Sequence, residues 1–146
     1  MLEGFEVFGS GRARPFISLR KTSVTFSRLA VEQLDFSPYI RVLIDKKGKR
    51  VAFQVADEND EMAYRFFVKP KEGRSILIRI TEKVLADALL NLTNVKLQGN
   101  VGYRFYGEFL EEEKAIIVDM TQEPEQNESQ AARKGVKEQD RAGDEG

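Results

Sequence analysis

With 146 residues and 41% hydrophobic content the chain can enclose one core, and it contains no Cys, His or Trp. Their absence excludes cysteine nucleophiles, imidazole bases, thiolate or imidazole zinc sites and the usual Ser-His-Asp triad, leaving carboxylate, Lys, Ser, Thr and Tyr chemistry. The net charge of −1 hides an uneven distribution: residues 1–50 hold ten Lys/Arg against five Asp/Glu, and residues 121–146 hold four against seven.

A basic front half favours a polyanion, and an acidic tail competes with it. No signal-peptide series opens the chain, and no apolar run approaches the ~20 residues of a membrane helix. Without Cys there is no disulfide. These features fit a soluble, cytoplasmic protein.

Residues 1–14 read as a flexible N-terminal arm, with Leu2, Phe5, Val7 and Phe8 as an apolar anchor before the Gly-rich stretch that carries Arg12 and Arg14. Phe16–Leu19 and Val24–Phe26 are β-forming runs joined by a turn from Arg20 to Ser23. Ser27 is a good N-cap for a helix to about Asp35, with Leu29, Ala30, Val31 and Leu34 on its apolar face and Pro38 to stop it. Alternation through Ile40, Val42 and Ile44, a turn at Lys46–Lys49 and a strand over Arg50–Val55 predict a hairpin.

Asp57–Glu61 offers oxygen ligands at alternate positions, but Met62 stands where a calcium loop needs its Gly, and a solvated acidic linker is the simpler reading. Tyr64–Val68 and Ser75–Ile80 predict strands around a turn at Pro70–Gly73. Thr81 is placed to cap a helix to about Leu92, with Val84, Leu85, Ala88, Leu89 and Leu92 on one face. Tyr103–Phe109, a turn at Glu111–Lys114 and Ala115–Asp119 predict the last hairpin. Alternation buries Tyr103, Phe105 and Phe109 and leaves Tyr106 as the one candidate stacking ring. Glu108 and Asp119 could meet across this hairpin, but nothing separates them into an acid and a base, so no constellation supports an enzyme. From Thr121 on, Val136 is the single large aliphatic residue and no aromatic occurs, which predicts a disordered acidic tail over 121–146.

The order hairpin, short helix, hairpin therefore occurs twice, in half-repeats 15–55 and 63–120. This predicts one α+β domain over 15–120, a β-rich small barrel made of two repeats. That order resembles the swapped-hairpin fold of the AbrB and MraZ class of bacterial transcription factors, and Gly73-Arg74-Ser75-Ile76-Leu77-Ile78 is similar to the turn-and-strand motif of the class. The first copy has Lys21-Thr22 where the class has Gly-Arg, and neither helix opens with the usual Pro.

The resemblance implies a homodimeric, non-enzymatic DNA-binding protein of the transcription-regulator kind, with no cofactor or metal. It places the DNA-binding residues at Arg20, Lys21 and Arg28 in the first copy and Lys71, Arg74 and Lys83 in the second, with Arg12 and Arg14 of the arm as auxiliary contacts. A second reading stays open: an interaction or inhibitory accessory module of a mobile element, gripping a protein partner through its apolar N-terminus or a sheet edge.

Overall fold

The computed structural model describes residues 3, 14–73, 78–96, 99 and 101–126. It is a β-rich, nearly closed barrel of antiparallel strands with two short helices. The strands are β1 (Phe16–Leu19), β2 (Ser23–Phe26), β3 (Tyr39–Asp45), β4 (Arg50–Val55), β5 (Tyr64–Arg65), β6 (Ile78–Thr81), β7 (Tyr103–Leu110), β8 (Ala115–Asp119) and β9 (Glu125–Gln126). Their order around the sheet is β5-β3-β4-β8-β7-β1-β2-β6, with β9 added beside the start of β7. Among the described residues β5 and β6 do not pair, so a seam stays open between them. No helix among these residues is long and apolar enough to cross a membrane.

Period-two alternation sends Ile17, Leu19, Val24, Phe26, Ile40, Val51, Phe53, Phe105, Ile116 and Val118 inward, where all are buried. Phe26 sits at the centre, edge-on to Phe53 at 5.0 Å and to Phe66 at 4.9 Å between ring centroids. Helix α1 (Arg28–Gln33) buries Ala30 and Val31, and helix α2 (Lys83–Leu90) buries Leu85, Ala86 and Leu89. Tyr103 and Phe105 point inward and Phe109 packs partly buried against the core, as alternation requires; Tyr106 faces out.

The Ser27 hydroxyl caps α1 by accepting from the Ala30 N–H at 3.2 Å, and it accepts from the Phe16 N–H at 3.1 Å as well, which ties the helix to β1. The helix ends before Pro38 is reached. Asp35 and Phe36 both adopt left-handed backbone angles (φ 58° and 51°), so they, and not the proline, turn the chain. The cap of α2 is Glu82, whose carboxylate accepts from the Leu85 N–H at 2.7 Å. Thr81 is unavailable as a cap because it is the last residue of β6, paired with Ser23.

Strand β5 is shorter than the apolar run Tyr64–Val68 predicts. Phe66 and Phe67 donate to the carbonyls of Pro38 and Ser37, but Pro38 has no N–H to return, so the ladder becomes one-sided beyond Arg65. Of the predicted strand 75–80, residues 75–77 lie outside the described set, and residues 78–80 belong to β6.

The C-terminal boundary also shifts. Met120 is fully buried, and Thr121–Gln126 lies along the barrel although its composition predicts disorder; residues 127–146 fall outside the described set. Gln122 makes this possible. Its side-chain amide accepts from the Tyr106 N–H at 3.1 Å and donates to the Tyr106 carbonyl at 2.8 Å, replacing a strand's peptide group in the gap between β8 and β9.

Gly107 sits where a Cβ would lie 2.8 Å from Ile116 Cγ2 and 2.9 Å from Val118 Cγ2. Gly107→Ala is expected to destabilise the fold by about 1–3 kcal/mol through overpacking, and Phe53→Ala by about 3–5 kcal/mol through loss of a fully buried ring. Denaturant unfolding checks both, and a wild-type midpoint in either variant contradicts this packing.

Candidate functional site

The cations singled out in the sequence do not form one surface. Arg20 and Lys21 occupy the β1–β2 turn, and because Ser23 lies opposite Thr81, that turn shares an end of the β2–β6 pair with Lys83, the first residue of α2. Arg28 opens α1 just beyond Phe26, which pairs with Ile78, so it belongs to the opposite end. Antiparallel pairing places the two helix starts at opposite ends of the four-residue β2–β6 pair. Arg28 and Lys83 also form ion pairs one turn along their helices, with Glu32 at 2.9 Å and Asp87 at 2.8 Å. Lys71 is exposed between β5 and β6. Arg14 lies over the Tyr106 ring at 5.2 Å. Arg12 and Arg74 lie outside the described residues.

Register brings together a partly different set, which keeps Arg14 and Arg20 and adds Arg79 and Arg104. On the outer face of β6-β2-β1-β7, Arg79 stands opposite Thr25, Thr25 opposite Ser18, and Ser18 opposite Arg104, with Glu125 of β9 next in line. Arg79 Nε donates to Thr25 Oγ1 at 3.3 Å along this row. Beside it, Gly102 leaves room for the Arg20 side chain: a Cβ there would meet Ser18 Oγ at 2.7 Å and Arg20 Nε at 3.3 Å. On the other flank Phe16 and Tyr106 pair edge to face at 5.5 Å, and the Arg104 guanidinium lies over the Phe16 ring at 4.0 Å. The face thus has a floor of small hydroxyls and a rim of Arg14, Arg20, Arg79 and Arg104, and Glu125 is the one carboxylate in these rows.

Arg79 and Arg104 escape a reading of the sequence because each sits inside a run that reads as core strand. The available signal is the polar phase of the alternation, which puts Ser18, Thr25, Arg79 and Arg104 all on outward positions.

Carboxylates elsewhere serve turns. Asp57 and Asp60 accept from the backbone N–H groups of Asn59 and Met62, and among the described residues no group of three or more acidic side chains could hold a metal. Glu108 pairs across the ladder with Ile117, while Asp119 accepts from the N–H of Thr121 at 2.8 Å and its hydroxyl at 2.7 Å. Comparison with protein families, with curated proteins and with solved structures returned no match.

The two Thr121 hydrogen bonds hold the Asp119 carboxyl below its ordinary value of 3.8. Asp45 is lowered likewise, first by the Gly48 N–H and then by Arg50. With folded values depressed, the stability these groups contribute is fully present above about pH 4 and is lost as pH falls through the folded values. Asp119→Asn is therefore expected to flatten the dependence of the denaturant midpoint on pH between pH 5 and pH 3; an unchanged slope contradicts the assignment.

Proposed function

We propose that this chain is a non-enzymatic DNA-binding protein of the transcription-regulator kind, built from two fused copies of one hairpin–helix–hairpin unit. The observation that carries the DNA reading is the arginine-rimmed outer face of β6-β2-β1-β7. Arginines spaced over a hydroxyl floor can neutralise successive phosphates while Ser and Thr donate to their oxygens. Arg20 and Lys21 in the adjoining turn, with Lys83 beside them, extend the same charge around one end of the barrel.

Two observations support the duplication and with it the likeness to the AbrB and MraZ class. Exchanging β1 with β5, β2 with β6, β3 with β7 and β4 with β8 leaves every observed pairing among these eight strands in place except β1–β2, whose counterpart is the open seam. The four-residue turns of the two long hairpins also both end on a lysine with left-handed angles, Lys49 (φ 56°) and Lys114 (φ 49°). In this reading one chain supplies both halves of the barrel, and homodimerisation would join complete barrels.

The alternative, a protein-interaction module, draws on one specific feature. Leu43, Ala52 and Ile117 form an outward row across β3, β4 and β8, in which Leu43 is exposed, as is its neighbour Ile44.

Titration with a mixed-sequence duplex at two salt concentrations distinguishes the readings. Affinity should fall steeply with salt, and Arg79→Ala with Arg104→Ala should reduce the log–log slope by about 0.9 for each phosphate that the variant no longer neutralises. Binding that is absent at low salt, or indifferent to salt, overturns the DNA reading.

A further inference from the structure

Arg104 meets a partner that fits it badly. Its guanidinium lies over the Phe16 ring, its Nε is buried and makes no hydrogen bond, and Glu125 Oε1 stands 3.9 Å from Nη1, beyond hydrogen-bonding distance. Ser18, directly opposite in the ladder, is 7% exposed, and its hydroxyl is likewise without a partner. Tyr106 donates its hydroxyl to Glu125 Oε1 at 3.2 Å. Arg104 and Ser18 thus hold donors to spare, the one hydroxyl hydrogen of Tyr106 is spent on Glu125, and Arg104 stands between Ser18 and that carboxylate. Buried donors left unsatisfied cost stability, and a structure that keeps two side by side has unmet capacity for an acceptor. A tetrahedral phosphate presents more acceptor oxygens than a carboxylate and matches an arginine fork as well.

We propose that Ser18, Arg104 and Tyr106 form a phosphate-binding notch and that Glu125 covers it as an intramolecular substitute, so that a backbone phosphate of bound DNA displaces β9. The identity of the phosphate donor rests on the DNA-binding reading; the notch itself rests on the geometry. Displacement requires little. β9 pairs with β7 through two residues only, Glu125 opposite Arg104 and Gln126 opposite Tyr103, and both are exposed. The Gln122 amide holds the preceding segment to Tyr106 independently, so β9 can leave without unravelling β8. Because the substitute is tethered, it competes at high effective concentration and weakens the apparent affinity of any free phosphate.

The test is titration of the full chain with inorganic phosphate, followed by NMR of the backbone amides in wild type, Glu125→Gln, and Glu125→Gln combined with Ser18→Ala or with Arg104→Lys. Shifts are expected at Ser18, Arg104, Tyr106 and Gln126. Glu125→Gln should lower the apparent Kd by about five- to tenfold, the scale of a modest coupling between two ligands, and either added substitution should cancel that gain. The same variants are then titrated with duplex DNA. Phosphate shifts confined to the notch and tightened by Glu125→Gln, with no DNA bound by any variant, leave the notch standing and remove DNA as its ligand. Salt-dependent DNA binding with no phosphate response at Ser18 and Arg104, or with identical response in wild type and Glu125→Gln, overturns the notch and leaves the DNA reading intact.

Discussion

The pairings of β2 with β6 and of β4 with β8 are the constraint on which the rest of the molecule depends. Each joins segments more than fifty residues apart in the chain, such as Phe26 with Ile78 and Val51 with Val118. Closing such loops costs entropy before any contact rewards it, so the core around Phe26, Phe53 and Phe66 and the long-range ladders must form together. Once formed, they curl the sheet, and curling divides every strand into an inner set that is apolar and an outer set free to differ from one side of the barrel to the other.

That division explains why the two sides are chemically unlike. Around β3-β4-β8 the middle outward row is Leu43, Ala52 and Ile117, flanked by Arg41 with Gln54 and by Asp45, Arg50 and Asp119, whereas around β6-β2-β1-β7 one row carries Arg79, Thr25, Ser18 and Arg104. Both rows hang on comparable inner faces, so the core does not dictate either one. Stacking on aromatic rings does dictate where two of the cations rest: Arg14 over Tyr106 and Arg104 over Phe16. Side chains fixed in this way have already given up much of the rotamer freedom that binding would otherwise remove.

The period-two signal is strong enough to mark Ile40–Ile44, Arg50–Val55 and Tyr103–Phe109 as strands and to single out Tyr106 as the outward ring. It carries no information on register, and the row from Arg79 to Arg104 exists only through register, because its members come from four separate strands. Local cues mislead where a tertiary partner competes for the same residue. Thr81 looks like a cap until Ser23 pairs with it, and Tyr64–Val68 looks like one long strand until Pro38 interrupts the ladder beside it. The order in Thr121–Gln126 is illegible in the sequence because it comes from polar contacts, the Gln122 amide against a backbone sixteen residues earlier and the two-residue pairing of β9 with β7, and no apolar pattern announces them.

The open seam leaves two sheet margins without a partner strand among the described residues. A sheet that stops short of closure exposes two rows of backbone groups, and long flat rows of that kind recruit strands from neighbouring molecules. Here one margin is β5, two residues long with Arg65 laid over Tyr39, and the other is β6, four residues long with Arg79 facing outward. Among the described residues, short and cationic margins of this kind make poor templates for the strand of a second chain.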